Sequence, residues 1–426
     1  MKKPGLSVGS IVMMLVTAFV VVGMAAFLSL IAGDDVYERT RAVFGNLAEQ
    51  TAERETAEPT VSPTKMPFFE ATAEPTAEPT PTATPDQSPK TITIAAAGTI
   101  YAPKAVRESA QEGVDHYDFT TTFEGLSGAL AGADLSVVTL ETTLAGREKG
   151  YGNYNTSPQL LDALRAVGVN FVSLATERAL DKGYDGLDIT ASELTSRSMG
   201  YAGVYPDGVN TGAAMLNVGG VQVAVLAYAY GLSDEGRERT KGDSRGVVAL
   251  METQRVTRDI AQARVDGANI VVVLPHWGTK NRAQTPDTVH AMAERMAQAG
   301  ADVILGAHPN VVQGVERIST VRSDGLTYET VVCYSLGCLL TDARDSENTA
   351  GMAVRLEMTY DPAVRRVWPG ALEVTPLYIA RQREDSGIVY RVVNAQDEQA
   401  LEKLTLSEQA AAAQAAERVK NATQEE

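Results

Sequence analysis

The alternation of apolar and polar positions changes character several times along this chain. Residues 6–31 form an almost uncharged run of Val, Met, Leu, Ala and Phe. Its length predicts a transmembrane helix, because the core of a leader peptide is shorter. A cleaved leader is the alternative, with Leu30, Ile31 and Ala32 as a poor small-residue cleavage site. Val36, Tyr37, Thr40, Val43, Phe44, Leu47 and Ala48 then recur at helical spacing and predict a short amphipathic helix over 34–50. That stripe reads either as a continuation of the membrane helix or as the seam of a weak homodimer. Residues 51–90 repeat Thr, Ala, Glu and Pro, a composition that cannot bury a core. At about 3.1 Å per residue such a linker reaches on the order of 120 Å.

From residue 91 the pattern alternates between strand and helix. Apolar strand-like runs occupy 92–98, 135–140, 171–175, 221–228, 270–275, 303–305 and 331–335. Helical spacing fills 123–131, 159–167, 186–198, 253–266 and 287–299. This order predicts an α/β domain over 91–381, with its site at the polar ends of the strands. Residues 382–426 read as a strand and helical tail, rich in Ala, Glu and Gln after 394.

Charge narrows the partners. A formal net charge of −17 excludes non-specific nucleic-acid binding as a global property. Lys2 and Lys3 before the apolar run, with Asp34 and Asp35 after it, place the N-terminus in the cytoplasm. The expected location is therefore the bacterial cytoplasmic membrane, crossed once, with the C-terminal domain outside. Cys333 and Cys338 are too few for a disulfide framework, and five extended residues would hold them out of bridging range. Neither a P-loop nor a dinucleotide fingerprint occurs. Ser335 has no recognisable His and Asp partners for a nucleophilic role.

Several strand ends carry candidate chemistry: Gly98-Thr99, Thr139-Leu140-Glu141, Thr176-Glu177-Arg178, His276-Trp277-Gly278, Gly306-Ala307-His308-Pro309-Asn310 and Tyr334-Ser335-Leu336-Gly337-Cys338. Their order and spacing over 92–376 resemble the bacterial capsule-synthesis, poly-γ-glutamate (CapA-type) family of the calcineurin-like metallophosphoesterase superfamily. The resemblance implies a four-layer α/β/β/α sandwich and a setting in cell-envelope or capsular polymer handling. It also implies a two-metal site built from the Asp of a GD pair, the Glu of NLE, Asn and His of ANNH, and the His of HWG and GxHPH. Such a site polarises a phosphoryl oxygen and activates water.

Laid on this sequence, Glu141, His276 and His308 keep the expected residue types. Thr99 stands for the Asp, Thr176 for the Asn, Arg178 for the catalytic His and Asn310 for the second His of GxHPH. The resemblance therefore implies a degenerate, catalytically impaired member with no metal pair. Glu141, His276 and His308 remain a candidate set for a single Zn²⁺ or Mn²⁺. Arg178, Lys280 and Arg282 bring positive charge where metal is expected, and they predict binding of an anionic envelope polymer or protein partner. The alternatives are an active hydrolase or transferase with a reduced metal site, and a scaffold acting through the juxtamembrane helix. Asp181 and Gly183 are expected to keep the loop's shape, while His116 and His290 are expected to be structural.

Overall fold

The computed structural model describes residues 87–424 apart from 210–211, 242–244, 246 and 386. The apolar run over 6–31, the helix over 34–50 and the linker as far as 86 lie outside the described residues. Among the described residues, no helix is long and apolar enough to cross a membrane.

In chain order the strands are β1 (Lys90–Ile100), β2 (Gln111–Gly113), β3 (His116–Tyr117), β4 (Leu135–Leu140), β5 (Phe171–Ser173), β6 (Gly200–Ala202), β7 (Ala214–Val218) and β8 (Val221–Ala229). They continue as β9 (Ile270–His276), β10 (Val303–Leu305), β11 (Val315–Val321), β12 (Thr327–Cys333), β13 (Cys338–Leu340), β14 (Ala350–Asp361), β15 (Arg366–Glu384) and β16 (Gly387–Asn394). One sheet has the order β16-β15-β14-β1-β4-β5-β6, with β13 also paired to β1, and the other runs β11-β12-β10-β9-β8-β7. The strands β1, β4, β5 and β6 are parallel. So are β8, β9, β10 and β12 of the second sheet.

The long apolar runs follow from burial on both faces. Along β8, Val221, Val223, Val225, Ala227 and Ala229 join the main core, which the first sheet shares. Ala224, Leu226 and Tyr228, the alternate set, join a second core. That second core is completed by Val256 and Ile260 of the helix Thr253–Val265 and by Ala293 and Met296 of the helix Asp287–Ala299. Helical 3–4 spacing in those segments thus meets strand period 2 across one interface.

Two expectations shift. The boundary set at 381 falls inside β15, and β14–β16 extend the first sheet far beyond the alternating α/β pattern. Pro369 and Pro376 interrupt that stretch and disguise it. Pro369 pairs with Met358 next to a register shift, the kind of irregularity that accommodates proline in a sheet. The last helix, Leu406–Thr423, forms within the expected helical tail and is docked. It opens with a Thr405–Glu408 capping box and buries Ala412, Ala415 and Val419. His116 lies in the short β3 hairpin strand instead of a helix entry.

Candidate functional site

Parallel strands deliver their C-terminal ends to one side, and the loops after β1, β4, β5, β8, β9 and β10 meet there. Thr99 is paired across the sheet with Thr139 on one side and Cys338 on the other. Gly98 is required by this closeness, because a Cβ at that position would lie 2.3 Å from the Gly337 carbonyl oxygen. The two sheets touch directly through Glu141 and His276. His276 Nε2 lies 2.8 Å from Glu141 Oε2, and both side chains are buried. The Tyr101 hydroxyl donates to the same carboxylate oxygen at 2.7 Å and also contacts Asn310 Oδ1 at 2.5 Å.

His308 lies against His276 with ring centroids 4.6 Å apart, and Tyr230 covers it at 4.7 Å. Burial, then the neighbouring His276, pushes the His308 pKa down to about 4. The imidazole is therefore neutral at pH 7. His308 and Asn310 have φ of 97° and 66°, and Asn281 in the facing loop has 58°. Non-glycine residues in this region carry strain and persist only where the surroundings hold them. Here the Asn281 amide donates to the Pro309 carbonyl at 2.8 Å and locks one loop to the other.

Two of the three cations expected to face a ligand, Lys280 and Arg178, are already paired. Lys280 Nζ lies 2.6 Å from Glu177 Oε1 and 3.9 Å from Glu141 Oε1. Arg178 pairs with Glu177 and with Asp181, each at 3.3 Å, and its guanidinium lies 3.9 Å from the centre of the Tyr154 ring. Burial alone would raise the Glu177 pKa, but the Lys280 hydrogen bond and charge, with Arg178 behind them, hold it below the ordinary value. Burial would lower the Lys280 pKa, and the same two carboxylates raise it. Asp181 accepts from Ser233, the N-cap of the helix Asp234–Arg239, and burial raises its pKa. Arg282 is exposed, and its carbonyl accepts from Gln313 at 2.7 Å. Thr176 is buried beside this group with its hydroxyl unpartnered.

A pair of divalent metal ions does not fit these residues. Thr99 and Thr176 offer neutral hydroxyls where carboxylate and amide oxygens are needed, and Lys280 brings an ammonium between the two remaining carboxylates. Glu141, His276 and His308 do converge. Among the described residues, however, no group of three or more His, Cys, Asp or Glu side chains is arranged to hold a metal ion. Glu177, Tyr101, Tyr230 and Tyr154 are part of the cluster although sequence reasoning passed over them. Only Glu177 had a signal, its place between Thr176 and Arg178. His290 stays outside the cluster, bonded to the Tyr334 hydroxyl at 2.8 Å. Cys333 and Cys338 are free and buried, and burial raises the Cys333 thiol to about 12.

Beside the cluster opens a cavity of about 310 Å³ whose lining includes Tyr101, Asn153, Tyr154, Asn281, Asn310 and Asn348. Amide and hydroxyl groups dominate this wall, and each Asn side chain both donates and accepts.

Residues 93–343 match the family model described as bacterial capsule synthesis protein PGA_cap. The chain is 26% identical over 226 residues to the PGA biosynthesis protein CapA of Bacillus subtilis (strain 168), covering 53% of this chain and 54% of the relative. It is 26% identical over 264 residues to the capsule biosynthesis protein CapA of Bacillus anthracis, covering 59% and 60%. The match thus spans little more than half the length of either relative. Among solved structures it is similar to the calcineurin-like phosphoesterase YfkN from Bacillus subtilis, with 11% identity, a TM-score of 0.36, and 68% of this chain and 91% of that one covered.

Proposed function

The chain belongs to the bacterial capsule synthesis protein PGA_cap family, and from that premise we propose that it is a membrane-anchored, extracytoplasmic protein that binds an envelope polymer strand without hydrolysing it. We read the two sheets and their helices as the four-layer α/β/β/α stack of the metallophosphoesterase superfamily. The apolar run over 6–31, flanked by Lys2 and Lys3, supports the anchor.

The observation that carries the non-hydrolytic reading is the Lys280 ammonium 2.6 Å from Glu177 and 3.9 Å from Glu141. Metal-assisted hydrolysis needs a water activated by cations and a group to protonate the leaving atom. Thr99, Thr176 and Arg178 supply neither. The amide-lined cavity supports binding instead. Arg178 and Lys280 are compensated by Glu177, Asp181 and Glu141, so carboxylates on a strand gain little from them. Repeating amide groups, read by Asn281, Asn310 and Asn153, carry recognition of an otherwise anionic polymer.

The test is titration of the full chain with a γ-glutamyl oligomer, with chain length followed in parallel. Binding with weak salt dependence, diminished in Asn153→Ala and Asn281→Gly, supports the reading. Shortening of the oligomer in the presence of Mn²⁺ or Zn²⁺, stopped by a chelator, would establish the hydrolase alternative. Loss of binding in Arg178→Ala alone would move recognition from the amides to charge.

A further inference from the structure

The end of the domain opposite the cleft carries a second cavity, of about 680 Å³. It lies between the starts of β9, β10 and β12 and the turn that joins β14 to β15. The charged residues on its wall are Arg264, Arg322, Asp324 and Arg365. Behind them, buried Asp302 pairs with both Arg264 and Arg322. Three guanidiniums against two carboxylates leave the wall an excess of one positive charge, in a chain whose net charge is −17. Lys90 pairs with Tyr360, another lining residue, so the chain enters the domain beside this cavity.

The three arginines are not equivalent. Arg264 commits its donors to the carbonyls of Ala268, Asn269 and Gly300 and to Asp302. Arg322 gives Nη2 to the Ala301 carbonyl at 2.6 Å and to Asp302 Oδ1 at 3.0 Å, and its guanidinium lies 4.3 Å from the centre of the Tyr328 ring. This side chain is only 10% exposed, yet its Nε is buried with no hydrogen-bond partner, and Nη1 has none among the described residues. Arg365 stands in the β14–β15 turn with a φ of 52°, exposed and without an ion-pair or hydrogen-bond partner among the described residues. The oxygens of Asp324 are taken by the Leu326 amide and the Tyr328 hydroxyl. A guanidinium held rigid and nearly dry with donors unused carries a desolvation penalty that an incoming acceptor relieves. The two uncommitted guanidiniums also come from turns of different sheets. A tetrahedral phosphate presents oxygens in both directions, whereas a single carboxylate lies in one plane.

We propose that this cavity is a phosphodiester-binding site in which Arg322 and Arg365 hold the two non-bridging oxygens from opposite sheets, with Asp302 fixing Arg322 in place. The single negative charge of a phosphodiester matches the excess charge of the wall. The volume accommodates an organic diester rather than a bare ion. A phospholipid headgroup and a soluble phosphodiester present the same chemistry to these residues. The inference stands apart from the reading of the cleft, because the two cavities share no lining residue.

The experiment titrates the full chain, in neutral detergent, with glycerophosphoglycerol and separately with acetate, following the heat of binding. Wild type is expected to bind the phosphodiester saturably, more weakly as salt rises, and to show no comparable affinity for acetate. Arg365→Asn removes the charge while tolerating the left-handed backbone, and it should weaken binding on the order of tenfold. Arg322→Gln should weaken it as well; if that protein does not fold, Arg365→Asn carries the test alone. Arg383→Asn, an exposed position of β15 outside the cavity lining, should bind as wild type. A second arm repeats the titration in nanodiscs of phosphatidylcholine with and without phosphatidylglycerol. Loss of free-probe binding in the anionic discs assigns the site to a lipid headgroup, and unchanged binding assigns it to a soluble phosphodiester. Absence of saturable binding would overturn the proposal. So would full affinity in Arg365→Asn, an equal loss in Arg383→Asn, or acetate binding as tightly as the phosphodiester.

Discussion

The neutral, buried His308 makes stability depend on pH in a range where few other groups titrate. Its pKa is 6.5 when exposed and about 4 in the folded chain, so the folded state resists a proton that the unfolded state accepts. As pH falls from 6.5 towards 4, the unfolded chain binds one more proton, and folding stability drops by about 1.36 kcal/mol per pH unit. Over the whole interval the loss is about 3 kcal/mol, and below it the penalty is constant. Two neighbours modify the lower end. Glu177, whose pKa lies below 4.5, contributes stability that disappears only as pH falls through its folded value. Asp181, raised above 3.8, acts in the opposite sense and returns a little stability over the same range. The window from 6.5 to 4.5 therefore belongs to His308. The assay is urea unfolding of wild type and His308→Asn at half-unit pH steps. Asn is uncharged throughout and tolerates the φ of 97° found there. Wild type should lose stability across the window while His308→Asn stays flat. An equal slope in both proteins would refute the argument.

Other perturbations test separate parts of the structure. Buried Asp302 holds Arg264 and Arg322 and accepts from the Val271 amide at 2.8 Å, so Asp302→Ala should cost about 3 kcal/mol in denaturant unfolding. The cavity beside the cluster is lined by other residues, so the proposed oligomer binding should be unchanged in that variant. Gly98→Ala places a Cβ 2.3 Å from backbone that cannot step aside, and it should lower stability by on the order of 3 kcal/mol, read as a fall in melting temperature. Thr99→Asp adds a carboxylate to a position that is only 1% exposed. With Lys280 still in place it should destabilise by about 3 kcal/mol and confer no metal binding, checked by melting with and without Mn²⁺.

Legibility in the sequence followed the physics of burial. The helix Asp287–Ala299 and the strands Leu135–Leu140 and Val303–Leu305 stand where hydrophobic period and length place them. In these segments one pattern dominates and no competing signal interrupts it. The strands β14–β16 were hidden because their outer positions are polar and β15 contains two prolines, which read as breaks rather than as an irregular edge. The site was legible as a set of positions and opaque as a set of contacts. Glu141 and His276 are 135 residues apart and on different sheets, and periodicity cannot state that they touch. Lys280 looked like a free cation because nothing local in the sequence marks Glu177 as its partner.

The substitutions at the strand ends are better understood together than one at a time. A metal pair is a concentrated positive charge, and the carboxylates around it are stable in a buried cleft only because of that charge. Remove the metal alone, and Glu141, Glu177 and Asp181 would repel one another in a region from which water is largely excluded. Threonine at 99 lowers the negative charge relative to the Asp of the family pattern, while Arg178 and Lys280 supply positive charge in permanent form. Arg178 serves Glu177 and Asp181, and Lys280 serves Glu177 and Glu141. Every carboxylate of the cluster therefore has a cation, and the two cations lie on loops from opposite sheets. Lys280 thereby ties a loop of the second sheet to Glu141 and Glu177 of the first, while Arg178 braces its own loop. The same charges that leave no fit for a metal pair thus hold the cleft's walls together. The adjoining cavity offers a ligand the amides of Asn153, Asn281 and Asn348 beside Thr341 and Asp342.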